Sequence, residues 1–481
     1  MFACATVLTA CSSADDAEEL TVERNPGMVG SEVAFTTDMD LFTRSTTGAI
    51  DNVEALKSLP EGFGVYAYLT EENPFSTYAG SDGKYATAAD FSAFSNFFMT
   101  NQQVKWAVQA VVNEVGVKDW VYAPLKYWPN GTQGTDDPLT NDGNTDITNN
   151  RRISFFAYAP YVEAAQTAVG VTKLIRAEDK SPHLWYTMPD EGSHTDLLWA
   201  NCIDARRNQQ GLIEVDKNQG AWTYQRVPLT FGHALASVDV YVQRVYDEQA
   251  FAGNTPETAT GNDKVTYTKL FVSELQLEAT GPGATPVFGS TGRLNLVNGS
   301  WTSVAGRTGD ADKDKLLTFG ESLIDEKLRG TQKAIYIEEE LDKWERAGFG
   351  VDEDERRLFR SDVYLMLIPQ LVTFVPQVTY SMVTRDDALE KNTSYAVTTT
   401  VGGEEVTHYY SRIVSTLKAN PVTVTFEAGK KYTLLLRIGV EHISFEVVSV
   451  VDWDFPMRFD PQDVPGFTGE TVSHRLDEAL D

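Results

Sequence analysis

The sequence predicts a mainly β protein: two β-sandwich domains, the second carrying a helical insertion. Three observations carry that reading. Apolar residues recur at every second position, as Val238, Val240 and Val242 do, and that is the period of a pleated strand with one covered face. The run Ile153-Ser154-Phe155-Phe156-Ala157-Tyr158-Ala159 is aromatic-rich and stops at Pro160, as suits a strand covered on both faces. Charged helix formers dominate one long stretch, residues 305–360, where Ile337, Leu341 and Trp344 share a helical face.

Taken in order, residues 1–32 read as a short apolar start followed by an acidic tether. Leu8-Thr9-Ala10-Cys11 looks like a bacterial lipobox, with small residues before a cysteine whose thiol is acylated. Cys11 is therefore the expected lipidation site, although no Lys or Arg precedes the apolar run. More than one acyl chain there gives a stable membrane anchor.

The N-terminal sandwich is expected over residues 33–228. Glu32 to Thr36 opens it as a strand, and Thr43-Arg44-Ser45 follows as an exposed polar linker. Gly64 to Leu69 reads as a strand. Asp90 to Met99, with Phe91, Phe94, Phe97 and Phe98, reads as a short amphipathic helix. Trp120 to Pro160 supplies two core strands, with Pro124 and Pro129 holding their segment to an edge or bend because each lacks a ladder donor.

The C-terminal sandwich is expected over 229–456, interrupted by the helical insertion at about 305–360. Val238, Val240 and Val242 face one way and Asp239 and Tyr241 the other. Leu270 and Val272 share one strand, and Leu275 and Leu277 the next. Leu294 to Trp301 reads as a hairpin, since Asn298-Gly299 accepts the positive φ of a type I′ turn. Val363 to Ile368 is apolar on both faces, and a second hairpin turns at Gly402-Gly403. Residues 457–481 read as an acidic, proline-bearing tail.

Composition bounds the function. At 481 residues the chain exceeds one ordinary core. Its 42% hydrophobic residues are enough to build two. Net charge is -29, from 40 basic and 69 acidic residues, which argues against nucleic acid and against adsorption to anionic lipid. Of three cysteines, two lie in the first eleven residues, so Cys202 has no partner for an internal disulfide framework.

Catalytic signatures are weak. Gly62-Phe63-Gly64 opens a strand rather than a helix, so it fails as a dinucleotide fingerprint. The sequence holds no nucleophile elbow, P-loop or zincin motif. Six scattered histidines form no pattern. No enzymatic function and no resident cofactor are expected. The one metal-like spacing is Asp310, Asp312, Asp314 and Glu321, positions one, three, five and twelve of a calcium loop. Position six, which should be glycine for the sharp turn, is Lys315. Calcium at those four carboxylates is the candidate cofactor; the rival reading is an acidic helix cap.

Several motifs occur in a telling order: Trp120-x-Tyr122-x-Pro124, Tyr127-Trp128-Pro129, Phe155-Phe156-Ala157-Tyr158-Ala159-Pro160, Asp196-Leu197-Leu198-Trp199-Ala200, Leu229-Thr230-Phe231-Gly232-His233-Ala234-Leu235-Ala236, Ala428-Gly429-Lys430-Lys431-Tyr432 and Val451-Asp452-Trp453. Together they resemble the fimbrillin-like (FimA/Mfa-type) type V pilus proteins of the Bacteroidales.

The resemblance implies transthyretin-like sandwiches and a surface-exposed lipoprotein of the outer membrane or fimbrium, with structural and adhesive roles. It implies partners among other pilus subunits, joined by strand addition, and among host or bacterial surface ligands. It also implies proteolytic processing after Arg44, which would remove the first strand and open an apolar groove for a neighbour's strand. The alternatives are a surface glycan-binding lipoprotein and a secreted hydrolase; the hydrolase needs a carboxylate pair or triad in a cleft.

Overall fold

The computed structural model describes residues 32–39, 50, 52–71, 97–109, 117–128, 152–163, 170–176, 182–189, 194–207, 212–217, 220–245, 266–281, 287–308, 310–330, 348–351, 354–363, 365–386, 395–401, 404–439 and 442–452. In chain order the first half gives β1 (Phe35–Met39), α1 (Val53–Lys57), β2 (Phe63–Glu71), β3 (Phe97–Gln109), β4 (Val117–Val121), β5 (Arg152–Ala159), β6 (Gly170–Arg176), β7 (Pro182–Thr187), β8 (Leu198–Arg207), β9 (Ile213–Lys217), β10 (Gly220–Tyr224) and β11 (Val227–His233). The second half gives β12 (Ala236–Arg244), β13 (Thr266–Thr280), β14 (Thr291–Asn295), β15 (Trp301–Ala305), α2 (Ala311–Asp314), β16 (Leu316–Phe319), β17 (Arg356–Arg357), β18 (Leu365–Leu367), β19 (Gln370–Asp386), β20 (Tyr395–Val401), β21 (Glu404–Lys418), β22 (Val422–Phe426), β23 (Lys430–Ile438) and β24 (Ile443–Asp452). The protein is mainly β.

Four sheets organise these strands. A nine-stranded sheet runs β1-β11-β8-β5-β2-β3-β4, with β9 on β8 and β10 on β9. A four-stranded sheet runs β15-β14-β7-β6. The chain leaves the first sheet after β11 and enters a five-stranded one, β17-β12-β23-β24, in which β18 also pairs with β12. A six-stranded sheet, β16-β13-β19-β21-β20 with β22 on β19, completes the fold. The β7–β14 ladder, Leu184 opposite Leu294, ties together segments on either side of position 229.

Strand β5 bears out its sequence pattern, for seven of its eight residues are buried. Phe155 enters an aromatic core with Phe35, Phe63 and Phe231 on one face. Phe156 and Tyr158 enter a second core on the other face, which continues through Tyr186 and Leu294 to Val240 and Leu434. Burying rings on both faces explains why the segment reads as unbroken apolar sequence rather than alternation.

Several local expectations change. Phe97 to Met99 belong to β3 rather than to the end of a helix; cross-strand pairing with β2, Met99 opposite Ala67, overrides the helical spacing. The remaining residues of that stretch, 90–96, lie outside the described residues. Leu270, Val272, Leu275 and Leu277 share the single strand β13. A bulge at Ser273 shifts the register between Val272 and Glu274, which resets the alternation and mimics a strand break.

Strand β12 is covered on both faces over its first five residues, so Asp239, expected to face water, is 6% exposed. The β14–β15 hairpin forms, with Leu294 opposite Trp301. Its loop is wider than a two-residue turn, and Gly299 rather than Asn298 takes the positive φ, +70°. Asn201 grips that loop, donating from Nδ2 to the Leu296 and Val297 carbonyls at 3.1 and 2.7 Å. Within 305–360, the described residues hold α2, β16, a 3-10 turn at Glu321–Leu323 and β17. Ile335 to Arg346 lies outside them.

Candidate functional site

Strand β1 takes its position from alternation. Val33, Phe35 and Met39 are at most 5% exposed, while Thr36 and Asp38 face outward. It pairs parallel with β11, Phe35 opposite Val227 and Met39 opposite Phe231. Phe35 is fully buried in a socket of rings, at centroid distances of 6.1 Å to Phe63, 5.8 Å to Tyr122 and 5.7 Å to Phe155. Such tilted and edge-on contacts are the favoured aromatic geometry.

Opposite β11, side chains rather than a ladder hold β1. Trp120 Nε1 donates to Thr37 Oγ1 at 3.0 Å, and the Tyr122 hydroxyl donates to the Val33 carbonyl at 2.7 Å. Burial pushes the Tyr122 phenol up, partly offset by its hydrogen bond with the Lys126 backbone. The Val33 amide donates to the Lys126 carbonyl at 2.9 Å, and Glu32 bridges to Tyr127. The two ends of the nine-stranded sheet, β1 and β4, therefore come together around Phe35. Beside this seam lies a hollow of about 370 Å³, lined by Thr36, Thr37, Trp106 and Trp120, and an Arg226–Asp119 ion pair links the start of β11 to β4. On the outer face, a larger groove of about 640 Å³ runs over β1, β11 and β8.

The residues singled out by sequence fall elsewhere. Cys11 and Arg44 lie outside the described residues. Asp314 turns inward and accepts from the Thr308 amide and hydroxyl, both at 2.9 Å. Asp310 accepts from the Asp312 amide and pairs with Lys313, and Asp312 pairs with Lys315. Among the described residues no group of three or more His, Cys, Asp or Glu is gathered to hold a metal ion. Asp312 and Asp314 lie on α2, Asp310 just before it, and Glu321 at the start of a 3-10 turn beyond β16.

His233 is buried in the core, where Nδ1 lies 2.9 Å from Asp196 Oδ2, with side-chain exposures of 1% and 0%. The same carboxylate oxygen accepts from the Ile50 amide at 3.1 Å. His194 Nδ1 accepts from the Met366 amide at 2.9 Å. Sequence reasoning missed both Asp196 and the Phe35 socket. The sequence marked Glu32 to Thr36 as a strand, but the three ring partners of Phe35 come from β2, β5 and the segment after β4, which only the fold assembles.

No protein-family model matches the chain, and no curated protein matches it. Among solved structures it is similar to a fimbrial protein from Bacteroides vulgatus, at 18% identity over 88% of this chain and 99% of that one, with a TM-score of 0.49. It is also similar to a Bacteroides ovatus protein named for a proposed role in cell adhesion, at 12% identity over 88% and 96%, TM-score 0.32. A Bacteroides uniformis protein named in the same way follows at 13% identity over 88% and 99%, TM-score 0.30.

Proposed function

We propose that this chain is a cell-surface pilus subunit or pilus-associated lipoprotein, structural and adhesive, built on two transthyretin-like sandwiches and assembled by β-strand exchange. The observation that carries the reading is β1. It is a short strand with one ladder neighbour, and its alternate side chains fill an aromatic socket. Strand addition works through those two features: ladder bonds set register, and pockets select alternate side chains. In this reading, acylated Cys11 anchors the precursor to the outer membrane; processing after Arg44 then frees β1 together with that anchor, and a neighbour's strand takes the vacated socket.

The C-terminal tail is acidic and carries Pro461 and Pro465, which is poor strand material and weighs against a chain-forming stalk role, leaving an anchor, tip or accessory subunit as an equal reading of its place in the pilus.

The full chain is nicked with an arginine-specific protease, the cut is mapped by mass spectrometry, and a fluorescent peptide copying residues 32–40 is added. The expected result is cleavage after Arg44 and stoichiometric uptake of the peptide, with loss of uptake when its phenylalanine is replaced by alanine. A nicked chain that takes up no peptide, or takes both equally, overturns the reading.

A further inference from the structure

We propose that the groove over β1, β11 and β8 binds a neutral saccharide. Its walls are the outward-facing residues of three adjacent strands: Thr36 and Asp38 from β1, Thr230 from β11, and Trp199 and Asn201 from β8, with Tyr224 at the end of β10 closing one side. The volume of about 640 Å³ falls in the range of small-molecule sites.

The arrangement around Trp199 is that of a platform. Gly232 stands directly across the ladder from it. A Cβ added at Gly232 would meet nothing within 4 Å, so the space beside the indole is open. The opposite flank is covered: a Cβ on Gly299 would come within 2.4 Å of the Trp199 ring. One face of the indole is thus pinned by a glycine turn, and a second glycine keeps room beside it. Asn201 commits its amide nitrogen to the Leu296 and Val297 carbonyls, which leaves Oδ1 as the acceptor it can offer.

The chemistry of the lining selects the ligand class. Among the described residues no Lys, Arg or His lines the groove, so an anion meets no counter-charge from them. Among the described residues Asp38 is its one carboxylate, which is too few for a divalent cation. The net charge of -29 disfavours sialylated or sulfated glycans. What remains is a ligand with apolar C–H faces for Trp199 and Tyr224 and hydroxyls for the threonines, Asn201 and Asp38, and a neutral sugar offers both. The site belongs to the unprocessed chain, in which β1 stands in its own place and supplies Thr36 and Asp38 to the wall.

The full chain is screened on an array of immobilised neutral and acidic oligosaccharides. The best-bound free oligosaccharide is then titrated calorimetrically against the full chain and against Gly232→Leu and Thr230→Arg, which fill the groove from an open position and an exposed one. The expected result is binding to neutral glycans, a change in tryptophan emission on binding, and at least a roughly tenfold loss of affinity in both variants with thermal midpoints unchanged. Binding to no neutral glycan at millimolar concentration, binding confined to acidic glycans, or unchanged affinity in the two variants overturns the proposal.

Discussion

Arg357 reaches four groups with one guanidinium. Nε donates to Asp239 Oδ1 at 2.9 Å, Nη1 to the Phe359 and Arg360 carbonyls, and Nη2 to the Val363 carbonyl at 2.6 Å. Lys431 Nζ approaches the other Asp239 oxygen at 3.3 Å. The group therefore folds the 357–363 turn back on itself and ties it to β12, whose Asp239 would otherwise be a buried, half-paired charge.

Arg357→Ala is expected to lower unfolding free energy by roughly 2–4 kcal/mol in urea titrations. Arg357→Lys should recover little of that, because an ammonium cannot fork to several carbonyls at once. None of this was legible in the sequence: alternation placed Asp239 on a solvent face, and its partner lies more than a hundred residues away. The Asp310-to-Glu321 spacing does not by itself say where the carboxylates go, because positions along a chain do not fix where the turn sends them.

Among the elements, β14 and β15 show how sequence gives a hairpin but not its geometry. Asn298-Gly299 correctly marks a reversal. The loop conformation, however, is decided by Asn201 and Trp199 of β8, which grip it from another sheet. Gly299 carries φ +70° with the indole against it, so a side chain there meets both backbone strain and a ring. Gly299→Ala should cost about 1–3 kcal/mol in thermal or chemical unfolding. Strand β5 was legible because full burial leaves a contiguous aromatic signature. Strand β13 was read as two pieces because a bulge breaks alternation without ending the strand.

At the scale of the molecule, β1 is nearly balanced between staying and leaving. Burying Val33, Phe35 and Met39 contributes roughly 2 kcal/mol each, about 6 in all. Ordering the seven residues 33–39 that carry those side chains costs roughly 1–2 kcal/mol apiece, about 10 in all. Its hydrogen bonds to β11 and to Tyr122 tip that balance toward the closed form by a small margin. Central strands such as β5, laddered on both sides, have no comparable low-cost exit. The mainly β class was legible from alternation alone. That the two ends of the nine-stranded sheet, β1 and β4, meet around Phe35 was not, because closure depends on contacts between residues 32–39 and 117–128.

Native-state hydrogen exchange tests this directly. The Val227 amide, which donates to the Ala34 carbonyl at 2.8 Å, should exchange by local release of β1, roughly a hundredfold faster than amides in the β5–β8 ladder. Phe35→Ala should speed Val227 further and leave that ladder unchanged. If Val227 and the β5–β8 amides exchange together, at the rate of global unfolding, β1 is an ordinary core strand and the account is contradicted.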